Sequence, residues 1–322
     1  ASGNAVCFSC HKEEEYNRKV VHQVIKDKGC LSCHNAHASK EKNLLTSKPT
    51  ELCVSCHKSD TDSFKKAHGA YPVEKENCTI CHAPHASEQE NLLKVSTHDP
   101  VASADCGSCH ASPTSDKPFA TTEKGSALCL TCHEKDSLMG GGTLEHEPFK
   151  SGDCLSCHDV HTSDYTKLLL AGGNGLCFTC HQDTEKKVQF PHEPLNGEKG
   201  CLSCHSAHAG SFKGLLAKEA GQLCYECHAK TQTEGKKYKN QHPPFADADC
   251  VSCHNPHGSN STNMLLSRAD EVCYTCHLTQ ESEYQQSYIH DPIQNGNCTA
   301  CHSGHGSGDK TFLKAKGNKL CE

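Results

Sequence analysis

Residues 30–37 read Cys-Leu-Ser-Cys-His-Asn-Ala-His, and the pattern C-x-x-C-H-x-x-H returns at 78–85, 154–161, 201–208, 250–257 and 298–305. Its first five positions are the attachment sequence of a c-type haem. The two thiols add across the haem vinyl groups, and the adjacent histidine, His34 in this stretch, is placed to bind the iron from below. His37 lies too close along the chain to reach the opposite face of the same iron, so its iron belongs to a neighbouring haem. One octapeptide holds one haem and reaches for another.

Working outward, C-x-x-C-H occurs thirteen times in 322 residues. The attachment thiols are Cys7 and Cys10, Cys30 and Cys33, Cys53 and Cys56, Cys78 and Cys81, Cys106 and Cys109, Cys129 and Cys132, and Cys154 and Cys157. They continue as Cys177 and Cys180, Cys201 and Cys204, Cys224 and Cys227, Cys250 and Cys253, Cys273 and Cys276, and Cys298 and Cys301. The proximal iron ligands are then His11, His34, His57, His82, His110, His133, His158, His181, His205, His228, His254, His277 and His302. A disulfide scaffold would also be rich in cysteine, but it would not tie every second cysteine to a histidine. Zinc ribbons repeat C-x-x-C without that requirement.

The motifs alternate between two kinds. Type A follows a short apolar lead-in, as in AVCFSCH, ELCVSCH and GLCFTCH. Type B has a histidine 8 to 10 residues before its first cysteine and usually another three after its motif histidine. One A and one B make a repeat of about 48 residues, a period that marks an array rather than one globule. The repeats run 1–46, 47–94, 95–122, 123–170, 171–217, 218–266 and 267–314, with 315–322 opening another. The third is truncated: Cys78 and Cys106 are only 28 residues apart, a whole A motif is missing, and Pro113 stands where the trailing histidine belongs.

Thirteen histidines lie outside the motifs: His22, His37, His68, His85, His98, His146, His161, His192, His208, His242, His257, His290 and His305. Their number equals the number of haems, so they are assigned as distal iron ligands. Only Met139 and Met264 could offer a thioether, and neither recurs in the repeat. Local closure within each repeat pairs each upstream histidine with its own B motif: His22 with His34, His68 with His82, His98 with His110, His146 with His158, His192 with His205, His242 with His254 and His290 with His302. Each trailing histidine then closes the preceding A haem: His37 with His11, His85 with His57, His161 with His133, His208 with His181, His257 with His228 and His305 with His277. Irons closed by two imidazoles leave no site for a substrate, which points away from an enzyme and towards outer-sphere electron transfer.

The composition fits a chain that cannot core itself. Apolar residues make up 34% even with 27 cysteines counted, aromatics are 5%, and there is no tryptophan. That is too little apolar surface to offset the ordering entropy without a cofactor. The stretches 12–21 and 278–289 read as short solvent-facing helices, with proline after His98, His146, His192 and His290 stopping a helix. A leucine pair follows most B motifs, as at Leu44-Leu45 and Leu92-Leu93; it covers a porphyrin face or packs between repeats. No segment alternates as a strand. The expected fold is mostly coil with short α-helices, a haem-cored elongated array with little or no β-sheet. No run of 18 apolar residues offers a membrane span. The net charge of −7, made more negative by about 13 through the haem propionates, argues against nucleic acid as a partner.

The C-x-x-C-H-x-x-H units with a histidine upstream resemble the doubled-CXXCH group of multihaem c-type cytochromes, over nearly the whole chain. That resemblance implies covalent haem c, here thirteen copies, and redox proteins or extracellular acceptors as partners. Some relatives form extracellular filaments, so a wire or homopolymer is one expectation. A discrete periplasmic carrier is the alternative, and a terminal reductase is less favoured. Haem attachment to C-x-x-C-H takes place outside the cytoplasm, so the reading expects an exported precursor and an extracellular or periplasmic protein. It also expects a longer array: His305 to Cys321 repeats the 16-residue spacing of His161 to Cys177, which makes Cys321 the first half of a fourteenth motif.

Overall fold

The computed structural model describes residues 3–320, so Cys321 and the motif it would open lie outside the described residues. The chain divides into two compact units. The first comprises the residues up to Glu134 together with Lys150–Gly172, and the second comprises Lys135–Phe149 and the residues from Gly173 onward.

Both units are built from short helical turns joined by coil. In every motif the histidine N–H donates to the carbonyl of the first cysteine, at 2.9 Å for His11 to Cys7 and 3.1 Å for His34 to Cys30. In A motifs this turn ends or extends a short helix, such as Pro49–Val54, Asn174–Phe178 or Ala220–Cys227. In B motifs it is a single 3-10 turn, such as Cys30–Ser32 or Cys250–Ser252. With so little apolar periodicity, no helix gains enough from a buried face to propagate beyond a few turns.

Two local expectations change. The stretch 12–21 holds only the turn Glu13–Glu15 and then a two-residue strand, β1 (Val20–Val21), whereas 278–289 does contain a helix, Leu278–Glu283. The prolines after the free histidines begin helices instead of stopping them: Asp99–Ala102, Glu147–Lys150 and Asp291–Gln294 each carry proline in the first turn. A proline there gives up an N–H that has no partner in the helix anyway.

Each B motif is closed by a loop of its own. The motif histidine bridges a residue eleven positions later: His34 to Leu45, His82 to Leu93, His158 to Leu169, His254 to Leu265 and His302 to Leu313. The chain returns through left-handed backbone at Asn43 and Leu44, Asn91 and Leu92, and Lys167 and Leu168. The leucine pair therefore serves the turn, with its first member at the corner and its second in the bridge.

Repeats are joined by two-residue antiparallel strands. β1 pairs with β2 (Ala86–Ser87), and β3 (Ser96–Thr97) pairs with β5 (Thr162–Ser163), both within the first unit. In the second unit β4 (Leu144–Glu145) pairs with β6 (Ala209–Gly210), and β7 (Asn240–Gln241) with β8 (Gly306–Ser307). Each pair joins the residues before an upstream histidine to those after the trailing histidine of the next repeat. The few buried residues cluster here, including Ala86, Ser87, Thr162, Ser163 and Ala209. Among the described residues only Tyr71, Ala86, Ala209 and Val272 are buried apolar ones. The chain exposes 22189 Å², where a closed polypeptide of its mass would expose about 13,000 Å².

Thr162 is wholly buried and its hydroxyl donates to the Ile80 carbonyl at 2.6 Å. Thr162→Val keeps the shape and removes that bond, at a cost of about 1 kcal/mol. In the haem-loaded protein the His98 amide, which donates to the His161 carbonyl at 3.0 Å, is expected to exchange with solvent about five-fold faster. Unchanged exchange at His98 would contradict the assignment of this bond to the strand junction.

Candidate metal centres

The imidazoles come in facing pairs. In the first unit, ring centroids lie 5.9 Å apart for His22 and His57, 5.9 Å for His34 and His85, 6.0 Å for His98 and His133, and 6.0 Å for His110 and His161. His68 and His82 face each other at 6.2 Å. In the second unit the pairs are His146 with His181 at 6.0 Å, His192 with His228 at 6.2 Å, and His205 with His257 at 6.0 Å. His242 with His277 at 6.1 Å and His254 with His305 at 6.2 Å complete the series. These are not stacking contacts, whose rings would be closer. Two metal–nitrogen bonds of about 2 Å, each continued roughly 1 Å to a ring centre, separate trans imidazoles by about 6 Å. Each pair leaves the room that one iron needs.

The pairing follows from the strand junctions. Val20 and Val21 lie against Ser87 and Ala86, and the next residue, His22, donates its backbone N–H to the His85 carbonyl at 2.9 Å. The His22 ring nitrogen Nδ1 meets the Pro84 carbonyl at 2.9 Å. The same contact to the residue before a trailing histidine recurs at His98, His146, His192 and His242, at 2.8–3.0 Å. Every B-motif histidine instead uses Nδ1 on the carbonyl nine residues ahead, at 2.7–3.0 Å from His34 through His302. A carbonyl can only accept, so Nδ1 carries the proton and Nε2 keeps its lone pair for a metal. Burial, with neighbouring imidazoles adding to it, holds His85, His257 and His305 below the ordinary histidine range. This favours the neutral form that ligation requires.

The anchoring thiols also form a series. Burial first, and then the neighbouring Cys78, pushes Cys53 up to about 11. Burial and Cys224 do the same to Cys250, and burial and Cys298 to Cys273, each to about 11. The first thiol of an A motif thus lies beside the first thiol of the B motif that follows. On the other side, Cys33 adjoins Cys56 and Cys253 adjoins Cys276. Around them apolar side chains stand in the open, with Leu31 64%, Leu155 58% and Leu202 53% exposed. Facing imidazoles, paired thiols and uncovered apolar side chains fit a flat apolar ring carrying iron. Among the described residues no three His, Cys, Asp or Glu side chains converge as a zinc ribbon needs.

The partners differ from those expected. Local closure pairs His22 with His34 and His85 with His57, but the rings that meet are His22 with His57 and His34 with His85. The same exchange holds at His98, His110, His133 and His161. His146 meets His181, not His158, and His181 therefore does not wait for His208. In the second unit it recurs at His192, His205, His228 and His257 and at His242, His254, His277 and His305. His68 with His82 is the one expected pair whose rings meet. The expected pairs of His37 with His11 and His290 with His302 have no ring contact among the described residues; the ring beside His11 is Tyr16, at 6.5 Å. Apart from His68, the histidines outside the motifs that have a ring partner thus meet motif rings of the adjacent repeat, because the strand junction joins each upstream segment to the trailing segment one repeat further on.

Sequence reasoning passed over the serine two residues after the trailing histidine. Ser87 and Ser163 each donate to the carbonyl of the bridging leucine, Leu93 and Leu169, and each accepts the N–H two residues ahead. The repeated H-x-S at 37–39, 85–87, 161–163, 257–259 and 305–307 was the available signal.

A family model of the doubled CXXCH motif matches residues 22–62, 71–97, 98–138, 146–186, 192–233, 242–282 and 290–322. No curated protein matches the chain at a significant level.

The ring pairs make a directional prediction for the haem-loaded protein. His22→Ala is expected to open the iron anchored at His57 and leave the one at His34 closed. A structure of the carbon monoxide adduct tests this, and ligand density on the His34 iron would restore closure within the repeat.

Proposed function

The chain belongs to the doubled CXXCH motif family and is a multihaem c-type cytochrome of electron transfer, and on that footing we propose that it carries thirteen haems c, each closed by two imidazoles, and conducts electrons along them outside the cytoplasm. Haem c, when bound, supplies an iron that gains or loses one electron. The residues of this chain do the rest. Paired imidazoles would hold the iron from two sides, so electron exchange would require no ligand to leave. Neighbouring thiols such as Cys53 and Cys78 bring the attached edges of successive rings together. The single observation that carries the reading is the run of facing imidazoles about 6 Å apart. A reductase needs an exchangeable iron site, and imidazoles paired in this way would leave none open. Failure of the native protein to bind nitrite or carbon monoxide is the expected result; stoichiometric binding to a high-spin iron would favour the reductase.

The array acts as a wire, because one recurring junction joins repeat to repeat and each use of it leaves the same edge for the next; a discrete carrier is the alternative. Electron microscopy of native material decides the matter: open fibres or long arrays support the wire, and particles of one short length support the carrier.

Closely spaced redox centres also repel one another's electrons. At roughly 10 Å and an effective dielectric of about 20, one unit of charge is worth about 1.7 kcal/mol, or about 70 mV for one electron. A spectroelectrochemical titration is expected to spread over several such steps. One sharp one-electron curve would show that the centres do not sense each other.

A further inference from the structure

The interior register makes two demands at the truncated repeat that no residue there can meet. By register, His68 faces the histidine of the A motif that would precede Cys106, and that motif is missing. His82 faces the trailing histidine after His110, and Pro113 stands in its place. The second repeat is left with one distal imidazole and one motif imidazole, both without their usual partners. These two rings face each other at 6.2 Å, the separation found across the other pairs.

The surrounding structure is rebuilt to allow this. His22, His98, His146 and His242 each follow a strand and bond a carbonyl of the next repeat, and His192 does the same after an isolated bridge at Phe190. His68 follows a helix, Asp62–Ala67, and its Nδ1 meets the Phe64 carbonyl of that helix at 2.8 Å. The chain then reverses through Gly69 and Ala70, both left-handed at φ 60° and 62°. A Cβ on Gly69 would lie 2.7 Å from the Ala104 carbonyl, so only glycine fits the approach. Tyr71 takes over the contact between repeats. It is 5% exposed, its hydroxyl donates to the Ala111 carbonyl at 2.7 Å, and its ring lies 5.8 Å from Phe119.

We propose that the iron anchored at Cys78, Cys81 and His82 is closed by His68 from its own repeat, making one self-closed centre in an array otherwise laced between repeats. The proposal rests on the haem reading above and adds that this centre is distinct. The two rings cross at 61°, whereas His98 with His133, His192 with His228 and His242 with His277 lie within 16° of parallel. Of the other pairs described above, the most crossed is His254 with His305 at 48°. Parallel imidazoles donate along one direction and split the two iron orbitals that lie perpendicular to the porphyrin. Crossed rings raise both orbitals together, leaving them nearly degenerate, and the ferric centre becomes strongly anisotropic.

Electron paramagnetic resonance of the fully oxidised, haem-loaded chain tests this. The expected spectrum has a large-g, near-axial low-spin signal beside the ordinary rhombic ones. His68→Ala should abolish that signal and turn one centre high-spin; His68→Met, which keeps a ligand in place, should stay low-spin while moving the same signal. His98→Ala is the control and should remove a rhombic signal by opening the iron of His133. If His98→Ala and His68→Ala both leave every centre low-spin, histidine ligation as a whole fails. If only the His68 variants leave the large-g signal untouched, or remove a rhombic one instead, the self-closed centre is wrong and the wider reading stands.

Discussion

Everything in this structure depends on a short backbone junction that holds one repeat against the next. At the strand-paired junctions an upstream histidine donates its N–H to the carbonyl of a trailing histidine, as His22 does to His85 and His242 to His305, at 2.9 and 3.1 Å. Two flanking residues on each side complete a minimal antiparallel pair. A net 1 kcal/mol or so per hydrogen bond is too little to order some 48 residues of polar chain. The strand pair sets the register, and in the proposed arrangement iron binding across it would supply the rest, so that folding and ligation would be one event. The scarcity of buried side chains follows from this, since the polypeptide is arranged around rings it does not itself contain.

The division of labour between the two nitrogens of each imidazole is the second level of control. Carbonyls from the B loop and from the neighbouring repeat occupy Nδ1, and this fixes both the ring plane and the tautomer. The left-handed corner at Asn43 and Leu44 sets the first of these carbonyls. An irregular turn with apolar residues at its corner is therefore a ligand-orienting device, although its composition reads as a packing contact.

Motif identity, motif number, the two alternating kinds and the truncated repeat were all legible in the sequence, because covalent attachment fixes the spacing within each motif. The partners of the distal histidines were not. A balance of thirteen against thirteen holds for closure within a repeat and, apart from the ends, for closure across repeats, so counting alone does not separate them. The truncated repeat is ambiguous for the same reason: losing an A motif and a trailing histidine together suits closure within a repeat, as the loss of two mutual partners. The pairing of His22 with His57 shows instead that each lost group served the preceding repeat. Strand pairs of two residues carry no alternation to detect, and β1 was read as part of a polar helix. The H-x-S tripeptide was the clue to the junction, because a small residue and a serine after each trailing histidine are what a covered edge needs.

Lacing centres across two repeats, as proposed, would also constrain how such a chain can be inherited. Removing or duplicating one whole repeat restores the register, because each repeat gives forward and takes from behind in the same way. A cut inside a repeat does not, unless it removes a motif and a donor whose abandoned partners can reach each other. The short spacing between Cys78 and Cys106 has the form of such a cut, with Gly69 and Tyr71 providing the bend and the substitute contact. Lineages carrying this architecture should therefore change length in steps of two motifs, and a step of one should be accompanied by a glycine turn beside the surviving histidine.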